Sequence, residues 1–171
     1  MYLRKSCSKI KPPPRELEEN KNSAGGMDDD DFDVEYSEDD LKLLMPALGL
    51  FKTVKALMKK VSQTVKKHGR SDTPQNVAEL EDLCDVCVRV SPCVDEYSEV
   101  LYPPIEAEEV RSKSGTIIQL SRDIHANLVG KHFARDQEVD TWRDFVLKAI
   151  DHNKTQVEIA LTGRELDKMS V

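Results

Sequence analysis

Between Leu41 and Val65 the apolar residues fall at Leu41, Leu44, Leu48, Phe51, Val54, Met58, Val61 and Val65. Those steps of three and four put them along one side of a helix. Ahead of them, Ser37-Glu38-Asp39-Asp40 reads as an N-cap followed by acids in the first turn, where the helix dipole favours negative charge. Lys59, Lys60, Lys66 and Lys67 crowd the far end, and Gly69 offers a left-handed stop. The pattern predicts a helix over 38–68, about 45 Å long at roughly 1.5 Å per residue. Pro46 is a candidate kink within it.

Pro74 suits a first helical position, and the row Leu80, Leu83, Cys87, Val90, Val94, Tyr97 and Leu101 keeps its phase across Pro92. This predicts one helix over 74–101, kinked at Pro92 and ended by Tyr102-Pro103-Pro104. Val110, Ile117, Leu120, Ile124 and Leu128 predict a third helix over 105–129, weakened by Gly115 and closed by Gly130. A fourth is expected over 140–162, with Thr141 and Asp144 as a capping box. Its broad apolar face holds Trp142, Phe145, Val146, Ala149, Ile150, Val157, Ala160 and Leu161, with Gly163 near its end. Four such helices joined by short loops imply an all-α fold, an antiparallel four-helix bundle over 37–165.

The residues outside that span read differently. A proline triplet, Pro12 to Pro14, and a polar run, Asn22 to Gly26, precede nine carboxylates between Asp28 and Asp40 that no base offsets. Such a stretch repels itself and buries too little to fold, so a disordered acidic N-terminal tail is expected over 1–36, with a flexible C-terminus over 166–171. The net charge of -7 argues against direct nucleic-acid binding. No apolar run approaches the roughly 18 residues that a membrane span needs. The N-terminus has positive charge but no apolar core of a secretory signal, which makes the four cysteines candidate free thiols.

Cys84 and Cys87 form a C-x-x-C with Cys93 close behind, and three chemistries compete for them. A structural zinc site wants four ligands, and neither a second C-x-x-C nor a suitable histidine pair accompanies these. His125 and His132 are separated by Gly130, and His152 stands beside Asp151. A redox pair belongs at a helix N-terminus after a strand, whereas this one is mid-helix. The expectation is core packing, with no metal bound. The acid pairs Glu81-Asp82, Asp95-Glu96 and Glu108-Glu109 point about 100° apart on a helix, which suits solvated edges better than acid/base dyads. No P-loop, nucleophile elbow or zincin motif occurs, so catalytic residues, cofactors and a small-molecule substrate are all expected to be none. Two surface features remain. Lys52, Lys55, Lys59 and Lys66 form a basic strip, read as a solvated face or as a dock for an acidic partner. Ser37, followed by three acids, is a candidate phosphorylation site as well as a cap.

Three stretches, YSEDDLKLLMPALGL, VAELEDLCDVCVRVSPCVDEYSEVLYPP and DTWRDFVLKAIDH, resemble the cyclin-D-binding protein family, the D-type-cyclin-interacting proteins. The resemblance covers residues 36 to about 160 and only the C-terminal half of that family; its N-terminal bundle has no counterpart here, so a truncated form is expected. It implies a vinculin- or catenin-like helical fold and a nuclear and cytoplasmic negative regulator of cell-cycle progression. The implied partners are D-type cyclin, helix-loop-helix transcription regulators and adaptor proteins. The fold analogy alone supplies an alternative, a cytoskeletal or adhesion adaptor. No partner-contacting residue follows from the resemblance.

Overall fold

Ser37 begins the first helix by closing a ring with its own first turn. Its hydroxyl accepts from the Asp40 backbone N–H (3.1 Å) and donates to Asp40 Oδ2 (2.7 Å), while the Ser37 N–H donates to the same carboxylate (3.1 Å). This capping box starts α1, Glu38–His68, which runs without a break through Pro46. Tyr36, just before the cap, is half-buried against the core. At the other end Gly69 is extended (φ -64°, ψ 133°), not left-handed, and its N–H still reaches the Val65 carbonyl. The computed structural model describes residues 35–169, with side chains through 166, and all its elements there are helical. Most of the expected acidic tail, Cys7 and residues 170 and 171 lie outside the described residues.

The fully buried row of α1 meets the predicted one only at Val54 and Val61. Leu43, Ala47, Leu50, Val54, Leu57 and Val61 are at most 5% exposed, whereas Leu41 and Leu48 face outward. Leu44, Phe51, Met58 and Val65 lie between, half-buried. The first half of α1, LKLLMPALGLF, is apolar on almost every side, so local periodicity cannot set its phase.

The expected second helix is two. α2, Pro74–Cys87, ends at Val88, and α3, Val90–Glu99, begins after Arg89. The interruption thus falls four residues before Pro92 rather than at it. A proline has no N–H for the carbonyl four positions back, and its ring crowds that carbonyl, here that of Val88. The chain answers with a tighter turn, in which the Arg89 N–H donates to the Val86 carbonyl at 3.3 Å. Thr73 caps α2 through the Asn76 N–H, with Pro74 at the first position.

After a loop, α4 spans Ala107–Leu128, and Gly130 (φ 74°) reverses the chain into a short 3-10 turn, His132–Ala134. The last helix, α5, spans Gln137–Met169. It starts earlier than predicted because Asp136, not Thr141, accepts from the first turn, at Glu138 N–H (3.0 Å). Thr141 lies inside the helix and donates back to the Gln137 carbonyl. It also continues past Gly163 as far as Met169, into the residues expected to be flexible.

Ion pairs orient the rods. Lys67 meets Glu138 and Asp40 meets Arg164, so α1 and α5 are antiparallel. Arg111 meets Glu158 and Glu165 while Arg122 meets Asp151, so α4 and α5 are antiparallel too. Lys113–Glu96 and Lys131–Asp82 give the same relation between α4 and the α2–α3 arm. α1 lies beside α5, α5 beside α4, and α4 beside the arm; α1 and the arm lack the close backbone runs of those three sides.

Two polar ties hold the ends. At one, Arg164 donates to Asp40 Oδ1 (2.5 Å) and to the Ile105 carbonyl (2.8 Å), joining α1, α5 and the loop before α4. Burial pushes the Asp40 carboxyl up, but the Ser37 and Arg164 hydrogen bonds outweigh it and hold the group below its ordinary value. At the other, buried Glu79 of α2 accepts from the His132 backbone N–H (2.7 Å) and lies 2.8 Å from its Nδ1, and Gln75 donates to the second oxygen. His132 Nε2 accepts from the Arg70 N–H at 3.1 Å, so the ring carries its proton on Nδ1, toward Glu79. This tie pins the 3-10 turn to α2 and to the loop after α1.

Two measurements check this packing. Leu50→Ala should lower unfolding free energy in urea by about 2–5 kcal/mol, as for a filled core site, whereas Leu48→Ala should change it by less than about 1 kcal/mol. The opposite order would restore the predicted phase. The His132 N–H, then Gln75 and the His132 ring, pull the Glu79 carboxyl down to about 2 from an ordinary 4.5. A depressed carboxyl contributes stability that is complete above its unfolded value and lost as pH falls through the folded one. Wild type should therefore exceed Glu79→Gln in stability at pH 6, with the gap closing between about pH 5 and pH 2.

Candidate interaction surface

The residues that first suggest chemistry are dispersed. Cys93 is buried, Cys87 half-buried and Cys84 exposed. Burial, followed by the nearby Cys84, pushes the Cys87 thiol up to about 11, and burial also raises Cys93. Neither is poised as a thiolate nucleophile. Among the described residues no three of His, Cys, Asp and Glu are grouped to hold a metal ion. His132 is engaged in the tie to Glu79, and His152 is exposed. His125 sits 3.4 Å from Arg143 Nε; burial, then that cation, keeps its pKa below the ordinary value. One member of each acid pair bonds a base: Asp82 to Lys131, Glu96 to Lys113, Glu108 to Arg111. The first two join α4 or the loop after it to the α2–α3 arm, and the third stays within α4. A depression of about 220 Å³ between α3 and α4, lined by Arg89, Pro92, Cys93, Glu96, Thr116 and Leu120, gathers no catalytic set. No helix of the described residues is long and apolar enough to cross a membrane.

The distinctive surfaces are helix faces. The first is the side of the bundle where α1 borders the α2–α3 arm. Half-buried apolar residues concentrate on those elements: Phe51, Met58 and Val65 on α1, Leu80, Cys87, Val90 and Val94 on the arm. Phe51 leans on Tyr97 across the gap, ring centroids 5.1 Å apart and tilted 46°. Tyr97 is fully buried, and its hydroxyl has no hydrogen-bond partner among the described residues. Burial drives its phenol pKa well up.

The second is the outward side of α1. Leu41, Met45, Leu48, Lys52, Lys55, Lys59, Ser62 and Lys66 follow one another at steps of three and four, so they form one solvent-facing row. Leu41, Met45 and Leu48 are 53%, 69% and 46% exposed, and the residues from Lys52 to Lys66 on this row are exposed too. The row is apolar at one end and basic at the other. On α5, Phe145, Ile159 and Leu166 also face outward, at 72%, 60% and 59%. Phe145 was expected in the core, but Trp142 and Val146 take the inward positions on either side of it.

Ser37, the candidate phosphorylation site, has its hydroxyl committed to Asp40, and Asp40 leads on to Arg164. The lysines of the predicted basic strip share one row. The polar ties themselves, Glu79–His132 and Asp40–Arg164, were not predicted. Their partners are 53 and 124 residues apart in the chain, and no local spacing signals them.

Residues 25–126 match the family described as Grap2 and cyclin-D-interacting, C-terminal. The chain is similar to the cyclin-D1-binding protein 1 homolog of Xenopus laevis, 40% identical over 131 residues that cover 77% of this chain and 39% of that protein. It is similar also to cyclin-D1-binding protein 1 of Homo sapiens, 30% identical over 158 residues, 89% of this chain and 42% of that one. The homolog of Danio rerio is 29% identical over 126 residues, 74% and 36% of the respective chains. The chain spans about two fifths of the length of the curated relatives it matches.

Tyr97 offers a direct check on the first surface. Tyr97→Phe removes a hydroxyl without a protein partner and keeps the ring, so its stability should equal wild type or exceed it by up to about 1 kcal/mol. Tyr97→Ala should cost about 3–5 kcal/mol. A loss above about 2 kcal/mol in Tyr97→Phe would show that the hydroxyl is hydrogen-bonded in solution.

Proposed function

The chain belongs to the Grap2-and-cyclin-D-interacting family, and on that footing we propose that it is a non-enzymatic interaction module that binds D-type cyclin. The carrying observation is the match to relatives named for binding cyclin D1. The physical support is a helical body with open faces and no convergent catalytic set among the described residues. We read the architecture as an antiparallel four-rod bundle of the vinculin and catenin kind, with α2–α3 counted as one interrupted rod. Its mechanism is occupancy: a helix of the partner lies along a face of the bundle and is withheld from its other targets. In the cell this corresponds to negative regulation of cell-cycle progression, in the nucleus and cytoplasm.

Helix-loop-helix regulators and adaptor proteins are further partners in this reading. Pairing of the helix-loop-helix kind would use the apolar faces of α1 and α2. Leu43, Leu50, Leu57 and Leu83 of those faces are already buried. Such partners therefore use the outward faces or a partly opened arm, and bind more weakly than a rigid dock. Phosphorylation of Ser37 belongs to the same proposal. A phosphate there would stand against Asp40 and compete with it for Arg164.

The test is titration of a purified D-type cyclin with this chain, read by calorimetry, with circular dichroism confirming that the chain is helical. Saturable 1:1 binding is expected. A helical chain that shows no heat of binding, or one that instead co-sediments with actin filaments, would overturn the proposal.

A further inference from the structure

Of the eleven lysines and arginines with described side chains outside α1, six have carboxylates beside them. Arg111 holds Glu108, Glu158 and Glu165; Lys113, Arg122, Lys131, Arg143 and Arg164 each hold at least one. α1 departs from that pattern. From Leu41 to His68 it has seven lysines and no acid. Lys52, Lys55, Lys59 and Lys66, all on the outward row, make no ion pair with any described residue. This occurs on a chain whose net charge is -7.

The helix dipole accounts for Lys66, in the last turn. It does not account for Lys52, Lys55 and Lys59, which lie more than two turns from the helix end, beyond the dipole's reach. Nor does burial account for Leu41, Met45 and Leu48, which continue the same row toward the N-terminus. An unneutralised basic stretch joined end to end with an uncovered apolar one, along about 37 Å of a rigid helix, needs a partner with the same division.

We propose that the outward row of α1, Leu41 to Lys66, is a docking site for a helical segment of another protein, apolar at one end and acidic at the other. The ligand's acids pair with Lys52, Lys55, Lys59 and Lys66, and its apolar end covers Leu41, Met45 and Leu48. Charge sets orientation and register, and the apolar end supplies most of the affinity. A membrane surface fits less well. A helix lying in a lipid interface has its apolar and basic sides on opposite faces along its whole length, whereas here they succeed one another along one face. Nucleic acid fits less well because this row of lysines is a single line on an acidic chain, with no aromatic in it. A second copy of α1 would set lysine against leucine or lysine in either direction. This inference needs no cyclin and stands apart from the preceding proposal.

The experiment uses the full chain and a fluorescein-labelled helical peptide of about 24 residues, long enough to match the row at roughly 1.5 Å per residue. Leucines at steps of three and four occupy its first third and glutamates the rest. The control peptide has the same composition with the two residue types interleaved. By fluorescence anisotropy the divided peptide should bind at least about tenfold more tightly than the interleaved one, and more weakly as salt rises. Lys52→Glu/Lys55→Glu/Lys59→Glu should weaken it at least about tenfold. The neutral variant Lys52→Gln/Lys55→Gln/Lys59→Gln should fall between that variant and wild type. Lys148→Glu/Lys154→Glu on α5 should leave binding unchanged, and circular dichroism should show all variants helical. Equal binding of the two peptides, or insensitivity to the α1 lysines, would overturn the proposal. So would tighter binding, through the same lysines, to phosphatidylserine vesicles, to single-stranded DNA or to a second copy of the chain in sedimentation.

Discussion

Asn153 of α5 reaches α1 at Gly49, donating to the Gly49 carbonyl at 3.2 Å and to Thr53 Oγ1 at 2.7 Å. A side chain at position 49 would meet the Asn153 oxygen at 2.5 Å, so glycine leaves the room that this amide occupies against α1. With Asp40–Arg164 at one end and Lys67–Glu138 at the other, the contact fixes both the direction and the rotation of α1 against α5. Once α1 is rotated so that Gly49 and Thr53 face α5, Leu43, Leu50 and Leu57 turn inward and Leu41 and Leu48 turn out. The rest of the surface follows from that rotation.

A bundle assembled this way has unequal sides. Three are closed by backbone neighbours and by ion pairs between rods. The fourth, between α1 and the arm, is closed mainly by half-buried side chains, with Phe51 against Tyr97 at its centre. The polar ties sit at the ends of the bundle, where loops would otherwise leave backbone donors and acceptors unpaired. Between them the interior is mostly apolar, with Asn153 and its partners on α1 among the exceptions. The ion pairs mostly join elements, and the open surfaces are long, helical and of mixed character.

Much of the fold was legible because helix spans are local matters. Ser37 and the acids after it marked the start of α1, and Pro74 marked the start of α2. What escaped depended on distance or degeneracy. The phase of α1 could not be read where leucines stand on nearly every side. The arm's interruption was placed at Pro92 because the apolar period passes through it, although a proline disturbs the turn before it. Thr141 looked like a cap because its spacing to Asp144 fits the motif, yet Asp136 lies nearer the reversal at Gly130 and caps first. As for the surface, the lysine strip was visible in the sequence, but its continuity with Leu41, Met45 and Leu48 was hidden by assigning those leucines to the core.

The interruption at Val88–Arg89 also divides the arm mechanically. Its pieces, 14 and 10 residues long, fall near or below the length at which an isolated helix persists in water. Each piece relies on what it leans against: α2 on the histidine-bearing turn, α3 on the outer edge of α4. Release of one half-arm with the other three rods still assembled is thus a cheaper fluctuation than loss of a whole rod.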